Sequence, residues 1–344
     1  MSNARITILL GAGFSKAVFP EFPTMKELTK SVFENEEVLP LIRALDKQLP
    51  LFEGKELHQV NIEEWFQILE ESSAYFKDLT IHGRRRLIVD VSMKVIAEKI
   101  QELSKAIVFS DAQLEYFKKL LNCDVNIITT NYDLVFERAI EELILRGEIE
   151  IPTPYDLNIG SIEMAYQKKG GTYLGAGRAP RDKFARIYKL HGSCDWFTSE
   201  IEASEHIYVD INLLRDYLKH EYRLESSEIC EHMSPIMAGP NSMKSKLINS
   251  KALRPIWTAA YSALRNTSRL IVFGTSIHKS DATLNSLLIE GLPVSTSVDI
   301  FDLEPEPIAD RFKSLTVRSL ISSRNLDAIS FESFVDTVVL YSNK

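Results

Sequence analysis

Two hydrophobic rhythms alternate along the chain. Short, largely continuous apolar runs rich in β-branched residues occur at 6–10, 125–130, 185–190, 270–273 and 298–301. Continuity of this kind marks a strand covered on both faces, as in a parallel sheet. Each run stops at small or polar residues: Gly11-Ala-Gly-Phe-Ser15, Asn131-Tyr-Asp133, His191-Gly192, Gly274-Thr-Ser276 and Asp302-Leu-Glu304. The second rhythm repeats every three to four residues and predicts helices. Ile62, Trp65, Phe66 and Leu69 share one face, as do Ile88, Val91, Val95, Ile100 and Leu103. Leu134, Ala139, Ile140 and Leu143 predict a helix after the second strand, and Phe331, Phe334, Val335, Val338 and Val339 a last helix packed on a sheet face. No strand pattern interrupts the stretch from about Glu34 to Leu121, and Pro152 to Pro180, with glycines at 160, 170, 171, 175 and 177, reads as a long irregular excursion. The pattern predicts an α/β fold, a doubly wound (Rossmann-like) parallel sheet with a helical inserted subdomain. Residues 1–35 and 121–344 form the sheet domain, 36–120 the insert, and no internal repeat is visible.

Composition narrows the function classes. At 344 residues, with 45% hydrophobic and 26% charged side chains, the chain can bury a substantial core and has no tract that predicts disorder. A net charge of -8 gives no chain-wide attraction for a polyphosphate backbone, so direct nucleic-acid binding is not expected. Cys123, Cys194 and Cys230 form no C-x-x-C pair and cannot alone complete a thiolate zinc site, so reduced thiols are expected. His58, His82, His206, His220, His232 and His278 show no H-E-x-x-H spacing, and no metal is expected. The first apolar run is too short for a signal-peptide core, and no run reaches membrane-spanning length, so a cytoplasmic protein is expected.

The strand ends carry the candidate chemistry. Gly11, Ala12 and Gly13 let the backbone turn sharply and approach a diphosphate, with helix N–H groups behind them and Ser15 as an added donor. Lys16 stands where the G-x-G-x-x-G pattern has its third glycine, so a purely structural turn is the alternative. In Thr130-Asn-Tyr-Asp133 the amide and the carboxylate could bond ribose hydroxyls or position a water, and equally could cap the next helix. His191 is either a general base or a core histidine. Gly274, Thr275 and Ser276 offer small donors, and Asp302 or Glu304 could accept from an adenosine ribose. Asp281 reads as a helix cap rather than a ligand, and Arg84-Arg-Arg86 as a solvated helix face.

Taken in order, these five motifs, spanning residues 11 to 304, resemble the sirtuin superfamily. Gly11-Ala-Gly-Phe-Ser-Lys16 continuing to Phe22-Pro-Thr-Met-Lys-Glu-Leu28 is similar to the bacterial SIR2-like NAD hydrolases of antiviral defence. The resemblance implies that Gly11, Ala12, Gly13, Phe14, Ser15 and Thr130 line NAD, that Asp133 sits beside its ribose, and that Asn131 and His191 are the catalytic pair. It also implies cofactor contacts from Gly274, Thr275, Ser276, Asp302 and Glu304. The paired cysteines of the deacylases' zinc module are missing, and Pro23-Thr-Met-Lys26 stands where deacylases carry an arginine, so deacylation is not expected. The implied activity is hydrolysis of NAD to nicotinamide and ADP-ribose by an NAD-depleting effector of anti-phage defence. ADP-ribosyl transfer, cyclisation and non-catalytic nucleotide binding within a complex are the alternatives. An NAD-depleting enzyme of this type is toxic if always active, so the resemblance implies a resting state restrained by homo-oligomerisation or by an inserted segment, and it also implies a separate partner such as a translocase-type ATPase or an Argonaute-like module. The helical block is the candidate for that restraint or for partner docking.

Overall fold

A computed structural model describes residues 6–46, 62–71, 79–149, 164–168, 171–175, 185–198, 207–209, 234–239, 253–278, 281–315, 321–323 and 330–343, together with 248 and 250. Strand β1 (Ile6–Leu10) leads into α1 (Ala12–Val18). Among the described residues, helices α2 (Met25–Phe33), α3 (Val38–Asp46), α4 (Ile62–Glu71), α5 (Leu79–Lys105) and α6 (Asp111–Leu121) follow before the next strand. Next come β2 (Val125–Thr129), α7 (Val135–Leu145), β3 (Met164–Lys168), β4 (Gly171–Gly175), β5 (Arg186–Lys189), β6 (Gly192–Thr198), β7 (Ile207–Val209) and β8 (Ser234–Met237). The chain closes with α8 (Arg254–Arg265), β9 (Arg269–Phe273), α9 (Ala282–Gly291), β10 (Ser297–Phe301), α10 (Pro305–Leu315), β11 (Ile321–Ser323) and α11 (Phe331–Ser342).

The main sheet has six parallel strands in the order β11-β10-β9-β1-β2-β5. Starting from β1, the chain lays β2 and β5 on one side, then returns to lay β9, β10 and β11 on the other. This is the strand order of dinucleotide-binding folds, and its reversal between β1 and β9 opens a crevice beyond the strands' carboxyl ends. All five predicted strands are present, and β11 is a sixth that the apolar pattern did not mark.

Alternation along the strands assigns each face its helices. Leu9, Ile128, Leu270, Val272 and Ile300 pack with α8, α9 and α10. Ile8, Leu10, Ile127, Ile271 and Phe273 pack with α1, α6, α7 and α11 around a phenylalanine cluster. There Phe14 stacks on Phe136 at 5.2 Å between ring centres and meets Phe117, Phe273, Phe331 and Phe334 edge-on.

Two sequence expectations change. The excursion from 152 to 180 is not wholly irregular, because β3 and β4 form an antiparallel hairpin within it, pairing Tyr166 with Tyr173. Their mixed composition and flanking glycines carry no apolar run, which is why the pattern reads as loop. The hairpin belongs to a second sheet of order β4-β3-β7-β6-β8. The packing also draws the helical layer differently from 36–120. Leu28, Val32 and Phe33 of α2 join its core, whereas Leu114, Phe117, Leu120 and Leu121 of α6 belong to the main sheet's face. Helical periodicity shows that a face is apolar, not what it packs against. Tyr132, Leu134, Cys194 and Met237 complete the helical layer's core, so that layer sits directly on the ends of β2, β6 and β8.

Candidate functional site

The turns after β1 and β9 lock together at the reversal of strand order. Gly11 N–H donates to the Phe273 carbonyl at 3.0 Å, and Gly13 N–H to the Gly274 carbonyl at 2.9 Å. Gly274 has a φ of +60°, and a Cβ there would lie 2.5 Å from the Phe14 nitrogen. A Cβ on Gly11 would lie 2.5 Å from the Gly274 oxygen. The glycines are therefore required by the contact of one turn with the other, a demand the linear motif does not reveal. Thr275 is buried in this contact, while Ser276 is exposed.

The end of β2 is tied to the same turn. Asn131 Nδ2 donates to the Gly11 carbonyl and to Ser15 Oγ, both at 2.9 Å. Ser15 Oγ donates in turn to Asp133 Oδ2 at 2.6 Å. The other oxygen of Asp133 accepts from Val135 N–H at 3.1 Å, so this carboxylate holds the first N–H of α7 and also anchors the glycine turn. Thr130 contributes its backbone N–H to the Leu10 carbonyl at 3.2 Å. The Phe14 ring is buried in the phenylalanine cluster, and the residue also lines the small cavity beside Ser15, Asn131 and Asp133.

His191 occupies the turn between β5 and β6. Its carbonyl accepts from Ala238 N–H at 2.7 Å, and Tyr132 Oη donates to the Ala238 carbonyl at 2.8 Å. Gly192 makes the reversal possible at φ +81°, where a Cβ would fall 1.9 Å from the Ile236 oxygen. His191 Nε2 lies 3.3 Å from Asp281 Oδ2. Asp281 also caps α9, accepting from Leu284 N–H at 3.0 Å. The predicted cap is real, and the same carboxylate is an acidic neighbour of His191 that the sequence did not suggest. After Gly274, buried Ile277 has a φ of 44°, a conformation that β-branched residues rarely adopt.

The tip of β10 is simpler. Asp302 Oδ1 accepts from Glu304 N–H at 3.0 Å, and burial pushes the Asp302 carboxyl above its ordinary pKa. The Glu304 side chain is exposed. Burial likewise raises the Cys123 and Cys194 thiols. Among the described residues, no group of three or more His, Cys, Asp or Glu could hold a metal ion, and no helix is long and apolar enough to cross a membrane. His58, His206, His220, His232 and Cys230 lie outside the described residues.

Residues 125–288 match the SIR2-like domain family. The SIR2-like span opens at β2 and ends in α9, taking in Asn131, Asp133, His191, Gly274 and Asp281 but not the glycine turn at 11–15. Two similar solved structures are of sirtuins. One, from work on the mechanism and regulation of Sir2 enzymes, is 13% identical with a TM-score of 0.40, covering 99% of this chain and 93% of that one. The other, a Sir2 homologue in complex with NAD, is 14% identical with a TM-score of 0.36, covering 98% and 89%. A comparison with curated proteins gives no match.

The SIR2-like span also contains charged residues that sequence reasoning passed over. The Lys189 and Glu137 side chains are only 2% and 5% exposed and form an ion pair at 2.9 Å. Desolvation alone would lower the Lys189 pKa, but Glu137, Asp195 and Asp133 outweigh it, so the ammonium is held above its ordinary value. Both residues line a small cavity with Ser15, Asn131 and Asp133, between the glycine turn and the ends of β2 and β5. The signal available in the sequence was a lysine following the buried pair Ile187-Tyr188, two residues before His191.

Proposed function

We propose that this chain is an NAD+ hydrolase that cleaves the bond between nicotinamide and ribose, releasing nicotinamide and ADP-ribose. The observation that carries this reading is the convergence of the glycine turn, Asn131 and the β9 turn at the point where the strand order reverses, the place where such sheets hold a dinucleotide. The SIR2-like match over 125–288 supports it.

Cleavage sends the bonding electrons out with nicotinamide, which departs neutral, and leaves positive charge on the anomeric carbon of the ribose. Water attacks that carbon and its proton passes to a base. Asn131 Nδ2 is held by Gly11 and Ser15, so Oδ1 is the atom that accepts from the attacking water or a ribose hydroxyl. His191 takes the proton, and the carboxylate of Asp281, 3.3 Å from Nε2, stabilises the imidazolium that forms. Asp133 stands beside the ribose, the turn of Gly11 to Gly13 with Ser15 holds the diphosphate, Gly274 to Ser276 add further cofactor contacts, and Asp302 and Glu304 accept from the adenosine ribose. In the cell the activity depletes NAD during phage infection, with oligomerisation or the helical insert restraining it.

Asn131→Ala and His191→Ala each are expected to lower nicotinamide release by about 10²-fold or more, with circular dichroism showing a retained fold. Wild-type turnover in both variants would refute the assignment. The mass of the nucleotide product separates hydrolysis from cyclisation and from transfer.

A further inference from the structure

Alternation along β5 places Tyr188 and Leu190 in one apolar layer and Ile187 in the other. An apolar side chain at 189 would continue the layer of Ile187. The chain buries an ammonium there instead, which is costly unless its hydrogen bonds are complete and its charge is matched. Both conditions are met. Lys189 Nζ donates to the Asp133 carbonyl at 2.6 Å, to Ser193 Oγ at 2.6 Å and to Glu137 Oε1 at 2.9 Å, using all three of its protons. Ser193 Oγ passes the connection on to the Tyr132 carbonyl at 3.4 Å, beside a backbone bond of 2.9 Å from Cys194 N–H to the same carbonyl.

These partners belong to different parts of the site. Asp133 lies in the turn that carries Asn131, Ser193 follows the turn that carries His191, and Glu137 sits in the first turn of α7. We infer that Lys189 is a positioning residue whose ammonium ties the Asn131–Asp133 turn to the His191–Ser193 turn and so sets the separation of the amide and the imidazole. Glu137 neutralises that ammonium and fixes it to the helix. The role of this separation in turnover rests on the NAD hydrolase reading; the tie between the two turns does not.

The test uses Lys189→Met and, because that change strands a buried carboxylate, the double variant Lys189→Met/Glu137→Leu. Hydrogen exchange is followed at the amides of 130–134 and 190–195, alongside steady-state nicotinamide release. In each folded variant, exchange in both turns is expected to rise at least about tenfold. The kcat should fall about 100-fold with KM changed less than about threefold, since misplacement of about 1 Å has this effect on reacting groups. A folded double variant with wild-type exchange in both turns, or with wild-type kcat, overturns the inference. If the wild-type protein consumes no NAD, the hydrolase reading fails, and the exchange measurement still decides whether Lys189 holds the two turns together.

Discussion

At Gly192 the backbone and the space around it make separate demands. The φ of +81° already disfavours an L side chain by about 1–2 kcal/mol. A Cβ would in addition fall 1.9 Å from the Ile236 oxygen, so β8 or the His191 turn must move. Gly147 provides the contrast: its φ is +68°, but nothing lies within 4 Å of an added Cβ. Gly147→Ala is therefore expected to cost about 1 kcal/mol and Gly192→Ala at least about twice that, measured by urea unfolding. Equal costs would show that the turn yields without strain. The residue types of the site were legible in the sequence; their partners were not. Asp281 was readable as a cap because Ser280-Asp-Ala precedes a helical pattern, but its approach to His191 joins positions 90 apart in the chain, which no local signal encodes.

Among the elements, α2 shows how a helix end joins a turn to its surroundings. The Glu27 carboxylate accepts from Thr24 N–H at 2.7 Å and Thr24 Oγ at 2.8 Å, and pairs with Lys16 of α1 at 2.7 Å. The Lys16 hydrogen bond first, and the Thr24 bonds after it, lower the Glu27 pKa from 4.5 to about 2. A depressed carboxylate pKa contributes stability that is present above pH 4.5 and lost as pH falls towards 2. Both side chains are more than a third exposed, so solvent screening keeps the contribution small. Glu27→Gln should thus be less stable than the wild type at pH 6, with the gap closing towards pH 2 and narrowing in high salt. A gap independent of pH would place its origin elsewhere. At this scale, strands β1, β2, β5, β9 and β10 are readable because burial on both faces enforces an apolar run. Strands β3, β4, β7 and β8 escape because they are short, polar or broken by proline, and pairing across the second sheet supplies what their composition does not.

For the whole molecule, the helical layer and the sheet are not independent. Ser104 of α5 accepts from Leu134 N–H at 3.3 Å, Arg138 Nε donates to the Ser104 carbonyl at 3.3 Å, and Gln101 donates to the Cys194 carbonyl at 2.6 Å. These bonds, with Tyr132 and Cys194 in the shared core, press α5 against the backbone next to Asn131 and His191. Deleting residues 36–120 would also remove α6, uncovering Phe14, Phe136 and Phe331 on one face of the sheet. That deletion is expected to give an insoluble product, or one without near-ultraviolet circular dichroism. A soluble, cooperatively folded remainder would mean that the two layers separate cleanly.

By itself the sequence determined the class of the fold, because strands buried on both faces impose continuous apolar runs and amphipathic helices impose a period, and polar substitution would destroy either. It also determined where unusual polar residues fall, at the strands' carboxyl ends. The order of the strands, the mutual fit of Gly11, Gly13 and Gly274, the joining of His191 to Asp281 and the burial of Lys189 were decided only in three dimensions. Each depends on which distant segments share a neighbour, and a one-dimensional period carries no record of that.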